Sequence, residues 1–428
     1  MGRQFKKSLN IGFISFRFQG TDGVSLETSK WAEVLEKMGH RCYYFSGLSD
    51  RPSNRSMVVE KAHFLDPEIR DYYTKFFNST KRSREETKWI HSMTEFFKEH
   101  LYTYIHDFKI DLIIPQNLLS FPQNIPLSLA LVEIIAETGI PTIAHHHDFT
   151  WERKPLLVNS VWDYINMAIP PNLRSVQHVV INSSAGHQLA HRVGVSSIII
   201  PNVMDFENPP PESDVYSSDL RDALGIQKDE LFILQPTRVV QRKGIEHAIE
   251  LVSRLGRKAR LVISHASGDD GYEYEARVVG FAERMGVRTI FSSERFGEKR
   301  GTTEDGNKIY SLSDAYPHAD LVTYPSLIEG FGNAFLEALY YKKPIVVNNY
   351  AIYATDIRPK GFKVIEFDEY VTEKTIKDTL QILDDPPYQA KLCAFNYDLA
   401  LRYFSYKILR SKLKILLTNA FGTETEIN

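Results

Sequence analysis

At 428 residues the chain exceeds one typical domain, so two domains are expected, and 43% hydrophobic with 25% charged residues is an ordinary balance for a globular protein that buries ample core. A net charge of -3 argues against nucleic acid as the main partner, since phosphate-backbone binding needs a basic surface. Cys42 and Cys393 lie far apart without metal-ligand spacing, no apolar run reaches the roughly 18 residues of a spanning helix, and Met1 to Lys7 lacks a signal-peptide apolar region, which together point to a reduced, cytoplasmic setting without stable membrane association.

In chain order, apolar strand-like runs alternate with helical patterns, as in parallel sheets covered by helices. Leu9 to Phe16 reads as the first strand. A glycine loop, Thr21-Asp22-Gly23-Val24-Ser25, follows, and the spacing predicts a helix from about Val24 to Met38 with Leu26, Trp31, Val34 and Leu35 inward. Arg41 to Phe45 is the next strand. Lys81 to Lys109 is a long helical pattern with Trp89, Met93, Phe96, Phe97, Leu101, Tyr104 and Phe108 near one stripe. Its charges nearly cancel, whereas membrane-surface helices carry a basic excess, so it reads as a core-facing helix. Strands at Asp111 to Pro115, Pro141 to His145, His178 to Asn182 and Ser197 to Pro201 complete a doubly wound domain.

Pro209-Pro210-Pro211 cannot continue a helix or a central strand, and the hinge is placed just before it, at Asn202 to Asp205. A second series follows: strand Phe232 to Pro236, helix Gly244 to Leu255, strand Arg260 to Ser264, helix Tyr272 to Met285 and strand Thr289 to Ser292. Strand Asp320 to Tyr324, helix Gly332 to Tyr341 and strand Pro344 to Asn348 extend it. Ser293 to Lys308, polar and glycine-rich, is expected to be a mobile loop rather than an element. The tail, Tyr403 to Leu417, has a helical apolar pattern in Phe404, Ile408, Leu409, Leu413, Leu416 and Leu417.

In open α/β domains ligands bind outside the carboxyl ends of the strands, and two such domains facing each other create a cleft. The segment Glu329-Gly330-Phe331-Gly332-Asn333-Ala334-Phe335-Leu336-Glu337 follows a strand and opens a helix, with seven residues between its two glutamates. Gly330 and Gly332 let backbone approach a ligand, the helix start attracts a diphosphate, and Glu329 and Glu337 can accept hydrogen bonds from hydroxyls on either side of it. A nucleotide-sugar has such hydroxyls on both sides. Arg238, after its strand, and Lys243, before Gly244, bring two cations to another helix start. That suits a leaving diphosphate, whereas plain surface cations would be mildly unfavourable there. Around Gly23 the loop can bring amides toward a phosphate; Asp22 is either a helix cap or a ligand for an acceptor hydroxyl. His145-His146-His147-Asp148 invites a metal reading, yet adjacent strand-end residues point in alternating directions and cannot all reach one ion. Asp269-Asp270 reads as a helix cap. With no D-x-D after an apolar strand, and cations where a metal would sit, no metal or other cofactor is expected to be required.

The Glu329 to Glu337 segment resembles the E-x7-E motif of family 4 retaining glycosyltransferases. Asn10 to His40 resembles that family's first strand, glycine loop and helix, Ile143 to Asp148 its histidine-bearing strand end, Ile198 to Asp205 its I-P-N passage, and Gln235 to Ile249 its R-x4-K-G helix start. The resemblance implies the GT-B fold, two doubly wound Rossmann-like domains facing a central cleft: residues 1–204 for the acceptor, 205–402 for the nucleotide-sugar, and 403–428 crossing back to the first domain. It further implies that Arg238 and Lys243 clamp the diphosphate, Glu329 lies near the transferred sugar, Glu337 near the ribose and His147 beside the sugar. Gly23, Gly330, Phe331, Gly332 and Asn333 complete the donor set. Asp22 departs from the family, which has a second glycine there.

For the acceptor, Arg17, Asp22, Asp148 and Arg153 are the candidates, with Lys154 nearby; solvated surface cations are the alternative for the basic ones. No side chain is an obvious nucleophile, and the resemblance implies front-face substitution in which a leaving phosphate oxygen takes the acceptor proton. The run Gly20 to Glu27 is also similar to enzymes that build mannosyl-glucosyl-glycerate solutes. The expected partners are a nucleotide-sugar, GDP-mannose ahead of UDP-glucose, and a small, soluble, anionic acceptor. A nucleotide-sugar epimerase of the same fold, or transfer to a lipid or polysaccharide, are the competing readings; a phosphorylase would need a pyridoxal-lysine, which is not evident.

Overall fold

The computed structural model describes residues 8–20, 22–265, 273–292, 294–297 and 299–422. The chain divides into two compact units, one up to Pro201 and resuming at Tyr406, the other Asn202–Ser405.

The first unit is built on seven parallel strands, β1 (Asn10–Ile14), β2 (Arg41–Ser46), β3 (Ser56–Val58), β4 (Leu112–Pro115), β5 (Thr142–His146), β6 (Val176–Val180) and β7 (Ser197–Ile199), in the order β3-β2-β1-β4-β5-β6-β7. Ile11 stands opposite Cys42 on one side and Leu112 on the other. Because helices cover both faces, the central strands are apolar along their length rather than alternating, and β4 is buried throughout. The helix Arg84–Asp107 starts at a capping box of Ser83 and Glu86 and buries Ile90, Met93, Phe97, Leu101 and Tyr104. Trp89, Phe96 and Phe108 pack against the same core, so the aromatic stripe faces inward. The helix Tyr406–Phe421 buries Leu409, Leu413, Leu416 and Leu417; its Tyr406 hydroxyl donates to Glu33 at 3.2 Å, and Gln177 Nε2 donates to the Leu416 carbonyl at 2.9 Å.

The second unit has β8 (Leu231–Gln235), β9 (Ala259–Ile263), β10 (Arg288–Phe291), a short antiparallel pair β11 (Gly301–Thr302) and β12 (Lys308–Ile309), then β13 (Leu321–Tyr324), β14 (Ile345–Asn348) and β15 (Ile365–Phe367). Its parallel sheet runs β10-β9-β8-β13-β14-β15. The β11–β12 pair corrects the expectation of a plain loop over Ser293 to Lys308. Two-residue strands are too short for a periodic pattern, and they are tied down by Lys308 on Asp219 at 2.8 Å and by Arg300 on Asp214 and Asp314. Among the described residues no helix is long and apolar enough to cross a membrane.

Strand order reverses between β1 and β4 in one unit and between β8 and β13 in the other. In open α/β sheets ligands bind at such points, outside the carboxyl ends of the strands. In each unit the candidate residues fall on or beside those loops.

Candidate active site

In the second unit, the β8 and β13 loops are stitched together. Leu327 N–H donates to the Arg242 carbonyl at 2.8 Å, and Thr323 Oγ1 donates to Gln235 Oε1 at 2.6 Å across the strand ends. Gly244 sits at φ +58°, and a Cβ there would lie 2.5 Å from the Pro325 carbonyl oxygen, so both conformation and space require glycine. That approach brings Lys243, at the end of a 3-10 turn (Gln241–Lys243), onto Glu329. The two form a buried ion pair, and Arg242 approaches the other Glu329 oxygen at 3.5 Å. Burial pushes the Glu329 carboxyl up, but Lys243 and Arg242 outweigh it and hold it below the usual glutamate range. Lys243 Nζ also lies 5.6 Å from the centre of the buried Tyr324 ring.

Arg238 is exposed, so the two predicted cations occupy different environments. Arg242, which the sequence reading missed, is the second cation on Glu329. His265, beyond β9, was missed as well. Burial, together with the charges of Arg238 and Lys243, holds its imidazole below the usual range, and its Nδ1 is 2.8 Å from Ser264 Oγ.

The helix of the E-x7-E segment spans Asn333–Tyr340. Gly332 precedes it at φ +123°, where a Cβ would meet the Tyr350 hydroxyl at 2.6 Å. Asn333 Oδ1 accepts from Asn202 Nδ2 at 2.7 Å. Glu337 accepts from the Tyr316 hydroxyl at 2.7 Å, and Tyr316 is buried against Tyr341 in a stacked pair. Gly330 is exposed. The Phe331 ring is buried edge-on against Phe404 and its carbonyl accepts from Tyr350, so its side chain is core and any part in donor binding falls to its backbone.

In the first unit, Asp22 caps the helix Gly23–Lys37. Its Oδ1 accepts the Val24 and Ser25 amides at 3.1 Å, and its Oδ2 accepts Ser25 Oγ at 2.7 Å and Arg17 Nε at 3.2 Å. The cap reading of Asp22 is thus present in the structure. Gly23 is the exposed first residue of the helix. Arg153 is likewise paired with Asp148, at 2.7 Å, so each candidate acceptor cation is joined to a candidate acceptor carboxylate.

His147 follows β5, with Asp148, Asp22 and Lys30 as its charged neighbours; burial holds its imidazole down to about 4. His145 is buried and stacks on Trp31 at 4.2 Å, and His146 Nε2 is 2.9 Å from His178 Nδ1. His146 points away from the other two, whose rings lie 4.2 Å apart, and among the described residues there is no group of three or more candidate metal ligands. Asp269, Asp270 and Thr21 lie outside the described residues. The β4 loop supplies Gln116 and Asn117, both in contact with this strand end and both missed; an Asn just after an apolar strand is a turn signal that could have flagged the second.

Residues 217–394 match the family described as "Glycosyl transferases group 1". Over 439 residues the chain is 31% identical to mannosylglucosylglycerate synthase of Thermotoga maritima, covering 95% of this chain and 99% of that protein. Over 442 residues it is 30% identical to mannosylglucosylglycerate synthase of Petrotoga mobilis, covering 94% and 100%. Among solved structures, sucrose-phosphate synthase from Thermosynechococcus elongatus shares the fold, with a TM-score of 0.68 at 16% identity over 96% of this chain and 99% of that one. With a family match over the second unit and end-to-end similarity to these relatives, the chain belongs to the group 1 glycosyltransferases, the family 4 enzymes of GT-B fold that its motifs resemble, and is a glycosyltransferase.

Proposed function

We propose that this glycosyltransferase moves a hexosyl group from a nucleotide-sugar to a small anionic acceptor, with retention of the donor's anomeric configuration. GDP-mannose and glucosylglycerate are the first pairing. The observation that carries the substrate reading is the end-to-end similarity to two relatives named mannosylglucosylglycerate synthase.

The second unit's switch point supports the donor half. Arg238, Lys243 and Arg242 supply positive charge where a diphosphate would leave, and the Asn333 helix start adds its amides. In this reading Glu329 orients the sugar from a fixed position, and Glu337, anchored by Tyr316, takes the ribose. Arg17 and Arg153 in the first unit are the cations for an anionic acceptor, each exchanging its carboxylate partner for the substrate's. No side chain is assigned as nucleophile. A leaving phosphate oxygen takes the acceptor hydroxyl's proton as the glycosidic bond forms on the same face, and the protein contributes alignment and electrostatics.

The test is a donor and acceptor panel with the product read by proton NMR. An α-linked product from an α-linked donor is expected. An inverted linkage would overturn retention, transfer only to lipid-borne acceptors would overturn the acceptor class, and donor isomerisation without acceptor would mark an epimerase.

A further inference from the structure

The β4 loop begins at the first unit's switch point with Gln116 and Asn117, both buried. Asn117 has φ +59°, a left-handed conformation uncommon outside glycine and tolerated best by Asn and Asp. In that conformation its side chain turns back on the end of β5. Oδ1 accepts the amides of two successive residues, His147 at 3.0 Å and Asp148 at 2.9 Å, and Ser120 Oγ donates to it at 3.1 Å. The Asn117 amide donates to the His145 carbonyl at 2.8 Å, so one residue is bonded on both sides of the turn that presents His147.

Gln116 addresses the ring. Its Oε1 is 2.9 Å from His145 Nδ1 and 3.2 Å from His147 Nε2. With the Gln116 amide in this orientation its oxygen accepts from both rings, which then carry hydrogen at those atoms and leave Nδ1 of a neutral His147 as the acceptor. His145 is itself clamped by stacking on Trp31. Backbone and ring of His147 are therefore fixed from the neighbouring strand's loop.

We propose that Gln116 and Asn117 are positioning residues for glycosyl transfer, acting through His147: Asn117 sets the backbone of the His147–Asp148 turn and Gln116 sets the imidazole's orientation and tautomer. The proposal rests on the reading of His147 as the residue beside the transferred sugar.

Asn117→Gly keeps the left-handed backbone and removes the acceptor oxygen, whereas Asn117→Asp keeps both. With GDP-mannose and glucosylglycerate, Asn117→Gly is expected to lower kcat about 10- to 100-fold, the scale of lost alignment at a reacting centre, without changing nucleoside diphosphate affinity. Asn117→Asp is expected to recover most of that loss. Combined with His147→Ala, Asn117→Gly should add nothing to the single His147 loss, because both act at one point. Losses that multiply would overturn the positioning role while leaving His147 its place. A His147→Ala enzyme at wild-type rate would overturn both. A readout that needs no substrate is the imidazole nitrogen NMR spectrum of histidine-labelled protein, assigned with His147→Ala. An Nε2–H tautomer at His147, lost in Gln116→Met, is expected; an Nδ1–H tautomer, or no response to Gln116→Met, would overturn the proposal.

Discussion

Lys243 and Glu329 form an ion pair across two loops that leave adjacent strands, with side-chain exposures of only 11% and 9%. Removing one partner from such a pair strands a buried charge, at a cost of about 3–5 kcal/mol. Arg242 remains beside Glu329, so the low end is expected for Lys243→Ala, with turnover falling about 100-fold or more. The Lys243→Met, Glu329→Gln double variant should regain thermal stability over Lys243→Ala and stay inactive. Stability losses that simply add in the double variant would show that the two are not coupled.

Arg238 offers the contrast. It is exposed, and Arg238→Ala should change stability by no more than about 0.5 kcal/mol while turnover drops about 100-fold. Melting temperature and initial rates check this together; more than half of wild-type activity would remove Arg238 from the diphosphate role.

Glu337→Ala should chiefly weaken nucleotide binding. Tyr316→Phe should move affinity in the same direction by about 1 kcal/mol, roughly fivefold, by freeing the carboxylate that the hydroxyl anchors. Calorimetry with the free nucleoside diphosphate reads both, and an unchanged affinity in Glu337→Ala would refute the ribose assignment.

The first unit should be acid-labile. Burial holds His147 and His178 down to about 4, from 6.5, and pushes His145 and His146 well below that ordinary value. The unfolded chain therefore binds more protons as the pH falls, and the stability these groups contribute, complete above pH 6.5, is lost toward pH 4. Melting temperature should be flat above neutrality and decline below it, and His178→Gln should flatten the decline. An unaltered slope would place the acid sensitivity elsewhere.

Transfer should survive exhaustive chelation. Loss with EDTA and recovery with a single divalent ion would overturn this and bring Asp22, Asp148 or Asp269 forward as ligands, the first two of which are paired with arginines.

Much of the architecture is legible in the sequence because a parallel sheet covered on both faces writes each central strand as a continuous apolar run. β3 and β15, three residues each and not set within a longer apolar run such as the one that flags β7, are not read from the sequence. At the site, Arg238, Lys243, Glu329 and Glu337 stand out because each lies close to a strand end or helix start in the chain. Asn117 does not, since the two amides it holds are thirty and thirty-one residues away. Arg242 is eighty-seven residues from Glu329 and became visible only through the β8–β13 adjacency. For Phe331 the motif does not show which way the side chain faces, and only the packing on Phe404 places its ring in the core.

The helix Tyr406–Phe421 belongs to the unit that the chain begins rather than the one it has just finished. On the ribosome, the sheet of residues 10–199 and the helix Gly23–Lys37 emerge long before the helix Tyr406–Phe421 that packs on the latter. Of the two units the one translated earlier is thus completed later, and until Leu409, Leu413, Leu416 and Leu417 arrive it lacks part of its own core while the second unit, Asn202–Ser405, has all of its own sequence available to fold.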